Sequence, residues 1–392
     1  MNWETLYCPN AHCHYYGLPF GQGRLVKNGT YGGQPQARCQ ACGSSVTLRY
    51  GTAYYGLDTE PWLVEIAVRA LTEGNSLRAT GRSVQIDKDT ACAWLSRAAQ
   101  HCRRVMLYLW RNLHVTDCQL DELWSFVHTK QDNLLVAKLY CETYGDAWVW
   151  LAFAPGWRLV VAFVIGKRTQ ANANLLLARV VQVTDEHIPF FTSDQLPEYK
   201  NSLLHTYGQW YRPTRRGSRG RRPKPRRQPP PDLLYAQVVK KRNKGRIVAV
   251  GTRIVFGEPA AIAACLAASP VSQTLNTSFV ERDNLTQRQH NRRLTRRTTG
   301  FSKDITWFEK QLWLSLAYYH LVLPHESLQE PLPVPQPTRG AGSPRQWRPV
   351  TPAMAAGITD HVWTMTELLS YRVPVKFLDR LQEIEHLFPE LD

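Results

Sequence analysis

Four cysteines near the start of the chain constrain its first segment more than any other feature. Cys8 and Cys13 form one close pair, Cys39 and Cys42 a second, and a glycine-rich loop separates them. Each pair can grip one side of a tetrahedral zinc ion, with the loop folded as a small β-ribbon closed by the metal. Residues 1–52 are too few to hold a core without such a staple. Four protein ligands leave no open position, so one structural Zn2+ is expected. His12 and His14 flank Cys13 and offer a substitute ligand. The chain has nine cysteines. That odd number, with four clustered, argues for metal binding in a reducing compartment rather than a disulfide framework.

The formal net charge is +16, which points to a polyanionic partner, most simply nucleic acid. The start, MNWETLYCPN, lacks a basic segment followed by an apolar run, so nothing in it suggests secretion and a cytoplasmic protein is expected. One stretch, Ala147 to Ile165, is apolar enough to suggest a membrane span. Pro155-Gly156 breaks it and Arg158 would sit near the bilayer centre, so two buried strands and a turn fit better.

Residues 58–104 read as helix, turn, short helix, turn, helix. Trp62, Ile66, Ala70 and Leu71 form an apolar stripe, and Ser76 caps a second helix. Asp87 or Asp89 caps a third, whose inner face carries Ala91, Trp94, Leu95 and Ala98. This is the layout of a helix-turn-helix that presents its last helix to the DNA major groove.

An α/β domain is expected over residues 115–323. In the strand Gln119–Val127, Asp121 and Glu122 face opposite sides, so only one of them can serve a given site. A second strand, Ile188 to Asp194, ends in a carboxylate, where ligands of α/β sheets commonly bind. Asp121 and Asp194 would then lie on neighbouring strands. The stretch 211–232 is an arginine- and proline-rich arm that cannot bury a core, and its Arg215, Arg216, Arg219, Arg221 and Arg222 suit phosphates. Strands return at Tyr235 to Lys240 and Arg246 to Phe256, and a helix from Thr306 to Tyr319 closes the domain. Residues 324–350 read as a proline-rich linker and 351–392 as a tail of small helices docked on the body or on another copy.

From Thr277 to Lys303 a single acid, Glu281, precedes Arg282, Arg288, Arg292, Arg293, Arg296 and Arg297. Ser278-x-x-Glu281 matches a helix capping box, and a metal-binding carboxylate beside a phosphodiester is the other reading. Helical spacing places Arg288, Arg292 and Arg296 near the Glu281 face, where they would contact a DNA backbone. Asp283 lies about 200° round the helix and is the weaker candidate for an acid of the site.

The order of these parts, CPN followed by a second cysteine, RCQACG, the helix-turn-helix, LDELWSFV, FFTSDQLPEY and VERDNLTQRQHNRRLTRRTTGFSK, resembles the Insertion Sequence One family of bacterial DDE transposases over roughly residues 1–323. The resemblance implies a ribonuclease-H-like catalytic core, preceded by a zinc ribbon and a helix-turn-helix that recognise the element's ends. It places an acidic triad on Asp121, Asp194 and Glu281, which would hold two Mg2+ or Mn2+ ions and cut and join DNA by in-line displacement. The implied partners are double-stranded DNA, as element ends and target, and further copies of the chain in a homodimer or higher oligomer. The competing reading is a transposase-derived DNA-binding regulator without catalysis. A serine or tyrosine recombinase is disfavoured, because no tyrosine is accompanied by a recognisable arginine and histidine cluster.

Overall fold

A computed structural model describes residues 2–134, 141–214, 222–338, 340 and 342–391. The chain divides into two compact units. The first comprises Met1–Leu109, Gln289–Gly300 and Thr306–Asp392, the second Trp110–Arg288 and Phe301–Ile305.

The first unit begins with an antiparallel three-stranded sheet, β1 (Leu25–Tyr31), β2 (Gln34–Cys39) and β3 (Ser45–Thr47), in that order. Its small core gathers Leu6, Leu25, Ala37 and Val46 around Cys8, Cys13 and Cys39. Three helices follow, α1 (Pro61–Thr72), α2 (Leu77–Val84) and α3 (Lys88–Leu109). Ser76 caps α2 by accepting from the Ala79 N–H, and Asp87 accepts from the Asp89 N–H at the start of α3. The α2–α3 turn is tight. Gln85 adopts a left-handed conformation, and a Cβ on Gly81 would come within 2.8 Å of the Ile86 carbonyl, so glycine is needed there.

The apolar stripe expected on α1 is corrected. Trp62 and Ile66 are 59% and 51% exposed, whereas Val64, Ala67, Val68 and Leu71 are buried. Both sets satisfy helical spacing, and contact with the rest of the unit selects the second.

In the second unit, β4 (Asp117–Val127) is followed by a short helix α4 (Gln131–Leu134), β5 (Gly145–Ala154), β6 (Leu159–Gly166), α5 (Gln170–Val183) and β7 (Phe190–Ser193). Then come α6 (Pro197–Tyr207), the small strands β8 (Gln209–Tyr211) and β9 (Arg226–Gln228), β10 (Tyr235–Asn243), β11 (Arg246–Phe256), α7 (Pro259–Ala268) and α8 (Ser278–His290). Six strands form one mixed sheet in the order β11-β10-β7-β4-β5-β6. β4, β5 and β6 are antiparallel neighbours, β7 runs parallel to both β4 and β10, and β11 returns antiparallel to β10.

The apolar stretch from Ala147 to Ile165 is the β5–β6 hairpin, turning at Pro155 to Arg158 and buried along most of both strands. No helix among the described residues is long and apolar enough to cross a membrane. In the basic arm, β9 pairs with β8, so its last residues are tied down. Arg215, Arg216, Arg219 and Arg221 lie outside the described residues, and Arg222 is exposed.

The chain then returns to the first unit. α9 (Ile305–Leu321) is buried nearly all round, its polar Lys310, Gln311, Ser315 and His320 included. The sequence reading ended the α/β domain with this helix, but from Thr306 onward it belongs with the first unit. Within the span expected to be a plain linker, β12 (Glu330–Gln336) and β13 (Arg345–Arg348) pair as a hairpin. The tail forms α10 (Pro352–Ala355), α11 (Met365–Ser370) and α12 (Val375–Leu378). It is no separate module: buried Arg372 donates to the carbonyls of Asn2 (2.6 Å) and Tyr50 (2.8 Å) and to Thr5 Oγ1 (2.7 Å), fixing the tail to the N-terminal segment.

Candidate active site and cysteine cluster

Strand register brings the first two acids together. Leu120 pairs with Ser193 at the end of the parallel β4–β7 ladder, so the residues that follow, Asp121 in β4 and Asp194 beyond β7, stand side by side. Asp194 lies just past the end of β7, and its Oδ1 accepts from the Leu196 N–H at 3.0 Å, forming the turn into α6. Glu281 comes from α8. The helix is attached to β4 through buried Gln119, whose carboxamide donates to the Asn276 carbonyl (2.9 Å) and accepts from the Val280 N–H (3.0 Å). Gln119 lies two residues before Asp121, on the same face of the strand. Asn284, one turn beyond Glu281, donates to Asp121 Oδ2 at 2.7 Å.

The electrostatics follow from this crowding. Burial first, then the charges of Glu122, Asp194 and Glu281, push the Asp121 carboxyl up to about 7. In the structure the Lys240 ammonium and the Thr277 hydroxyl both bond Glu281 Oε1, the latter at 2.7 Å. Among the described residues, only the four cysteines bring three or more candidate metal-ligand atoms within 4.8 Å of one another. To share a metal with Asp121 and Asp194, Glu281 would have to leave Lys240.

Glu122 faces the other side of the sheet, as strand alternation requires. Its buried carboxylate bonds the Arg168 guanidinium and accepts from the Tyr199 hydroxyl at 2.9 Å. Burial and the nearby Asp194 raise its pKa, while Arg168 and Tyr199 pull it down. Arg168 and Tyr199 thus occupy both of its oxygens.

The capping box is not formed. α8 starts at Ser278, so Thr277 rather than Ser278 flanks it, and Asn276 Oδ1 accepts from the Ser278 N–H at 3.1 Å. The Glu281 carboxylate instead bonds the Thr277 hydroxyl and Lys240. The arginine row is corrected too. α8 ends at His290, and Asn291 starts a short 3-10 turn over Arg292–Leu294, so Arg292 and Arg296 do not continue the helical face. Both are exposed, whereas half-buried Arg288 donates to the Trp124 carbonyl at 3.0 Å. Asp283 is buried, accepts from Gln287 at 3.2 Å, and is pushed up to about 7 by burial.

Sequence reading missed Gln119, Asn284, Thr277 and Lys240. The first two carried a signal: Gln119 shares a strand face with Asp121, and Asn284 lies one helical turn from Glu281. Lys240 belongs to a strand whose distance from Glu281 only the tertiary fold sets.

In the first unit, Cys8, Cys13, Cys39 and Cys42 converge, with all four sulfurs within 4.8 Å. Cys8 and Cys42 Sγ are 3.6 Å apart, Cys13 and Cys39 Sγ 3.9 Å. Sulfurs at ~2.3 Å around a tetrahedral zinc lie about 3.8 Å from each other, so the group could hold that ion. The Ser44 hydroxyl and N–H pull Cys42 down to about 6, whereas burial pushes the Cys8 thiol up and Cys13 is raised as well, so Cys42 is the most readily ionised of the three. Among the described residues neither His12 nor His14 joins the cluster. A cavity of about 750 Å3 also opens in this unit, lined by Tyr50, Tyr55, Trp94, Arg97 and His101 among others, and none of the three acids lines it.

No protein-family model matches the chain, and a search among curated proteins finds no match.

Proposed function

We propose that the chain is a DDE transposase with a ribonuclease-H-like core, which binds the ends of an insertion sequence and cleaves and joins DNA. The observation that carries this reading is the strand register that sets Asp121 beside Asp194, with Glu281 on the helix that Asn284 ties to Asp121. One acid on a strand and one just past the end of its parallel neighbour, with a third on a helix, suit phosphoryl transfer, in which positioning and charge do most of the work. Mg2+ or Mn2+ held by Asp121, Asp194 and Glu281 would supply activation of the attacking oxygen and stabilisation of the leaving one. The chain's own residues set the stage for this. Asn284 orients Asp121, Gln119 fixes the start of α8, and Lys240 holds a positive charge where a phosphate would approach.

The cysteine-stapled ribbon and α1 to α3 are proposed to recognise the element's ends, with α3 in the major groove. Exposed Arg222, Arg292 and Arg296 are proposed phosphate contacts, and the chain is proposed to act on DNA as a homodimer or larger assembly. The second reading, a DNA-binding regulator of the same descent, is favoured by one observation: Glu281 is engaged by Lys240 and Thr277.

Nicking of a supercoiled plasmid with added Mg2+ separates the two. On the first reading the wild-type protein nicks, and Asp194→Asn abolishes nicking while leaving duplex binding intact. Specific binding with no metal-dependent nicking by the wild type would favour the regulator. Nicking retained by Asp194→Asn would remove the triad.

A further inference from the structure

β7 pairs with β10 only over Tyr235–Gln237, whereas β10 and β11 stay paired as far as Asn243 and Arg246. From Val238 onward the hairpin therefore runs past the end of β7 as a two-stranded ribbon with no strand paired on its β7 side. It closes on Lys244 and Gly245, both at positive φ (45° and 81°), as a two-residue turn that suits the twist of paired strands. Six residues on the β10 side give it a length of about 20 Å.

Three properties of the ribbon point the same way. Its charge has one sign: between Ala236 and Phe256 the chain carries Lys240, Lys241, Arg242, Lys244, Arg246 and Arg253, and no aspartate or glutamate. Its outer strand is bare: β11 is exposed from Arg246 to Ile254, with Ile247, Val248 and Val250 at 49%, 62% and 63%. Its root lies at the acids: Val238 follows the Gln237–Ser193 pair and so stands beside Asp194, and Lys240 bonds Glu281.

Apolar side chains along an unpaired edge invite a partner. A second copy of this ribbon would bring like charges together. A polyanion would not, and a two-stranded ribbon fits the ~12 Å major groove of B-form DNA.

We infer that Val238–Arg253 is a clamp for duplex DNA. Lys241, Lys244 and Arg246 contact phosphates, and Ile247, Val248 and Val250 pack on sugars and base edges. The clamp holds the duplex that leads to the acids, and to that extent it rests on the DNA-cleaving function proposed above.

The test is equilibrium binding of the full-length protein to a duplex oligonucleotide across a salt series, without added divalent metal. Each phosphate contact removed flattens the slope of log K against log salt by about one. The variant Lys241→Ser/Lys244→Ser/Arg246→Ser is expected to lose at least about tenfold in affinity and to flatten the slope by about two to three. Wild-type affinity and slope in a variant that melts like the parent would overturn the clamp. Should the triple variant not fold, Lys244→Ser at the exposed tip is read in the same way, with a slope change of about one.

Val248→Thr/Val250→Thr, followed by light scattering and DNA binding, tests the apolar edge. Weaker DNA binding at unchanged mass supports the clamp. A smaller assembly with DNA affinity intact would make the ribbon an interface between copies and overturn it. Because no catalytic metal is present, a protein that binds through the ribbon yet never nicks DNA fails the enzymatic proposal alone. One that nicks while its ribbon variant binds as the parent does fails the clamp alone.

Discussion

The Asn284 carboxamide donates a 2.7 Å hydrogen bond to Asp121 Oδ2, so α8 and β4 meet at the acid itself. A hydrogen bond to a carboxylate contributes about 1.5–3 kcal/mol, and this one also sets the direction of the remaining oxygen. Asn284→Ala is expected to destabilise the protein by about 1–2 kcal/mol and to slow Mg2+-dependent nicking on the order of tenfold. Urea unfolding and a nicking time course check both. A variant that nicks at the parental rate would show that Asp121 needs no such guide.

Gln119 acts one step further back. Its buried carboxamide satisfies the Val280 N–H and the Asn276 carbonyl, and Gln119→Leu would leave both without that partner. The expected loss is about 2–4 kcal/mol, with a fall in nicking rate larger than any change in duplex affinity. An equal fall in both would mean that the variant had simply unfolded.

Asp283 gives a pH dependence with a definite sign. Its carboxyl titrates near 3.8 when unperturbed and at about 7 in the fold, because burial disfavours the charge. The folded state therefore binds this proton more tightly than the unfolded chain does. The stability so conferred is fully present below about pH 4 and is lost as pH rises through about 7. Asp283→Asn should remove that loss, raising stability at pH 8 by on the order of 1–3 kcal/mol with little effect at pH 4. Equal destabilisation at both pH values would contradict the assignment.

The cysteine cluster predicts one zinc ion per chain. Cys13→Ser is expected to lose the metal and the cooperative melting of the N-terminal segment, while His12→Ala and His14→Ala retain both. Zinc content by atomic absorption checks this. Loss of zinc in either histidine variant would reassign the ligand at that corner.

What could be read without coordinates follows the range of the interactions involved. The caps at Ser76 and Asp87, the hairpin around Pro155 and the two cysteine pairs depend on neighbours in sequence, and all are legible there. Helical spacing on α1 was compatible with two stripes, and only packing chose Val64, Ala67, Val68 and Leu71. The capping box at Ser278 failed through a shift of one residue in the helix start, a difference no local pattern resolves. Lys240 is separated from Glu281 by 41 residues of chain, so its contact follows from the parallel pairing of β10 with β7. The docking of the tail through Arg372 is of the same kind: its partners, Asn2, Thr5 and Tyr50, lie at the far end of the sequence.

The central claim, that Asp121, Asp194 and Glu281 together hold a divalent cation on DNA, is tested most directly by Mn2+ titration of the zinc-loaded protein bound to a duplex oligonucleotide, read by electron paramagnetic resonance. The wild type is expected to immobilise Mn2+ at this site. Asp121→Asn, Asp194→Asn and Glu281→Gln should each weaken that binding at least about tenfold, with zinc content and DNA binding unchanged. Mn2+ binding that is absent from the wild type, or indifferent to all three substitutions, would contradict the account.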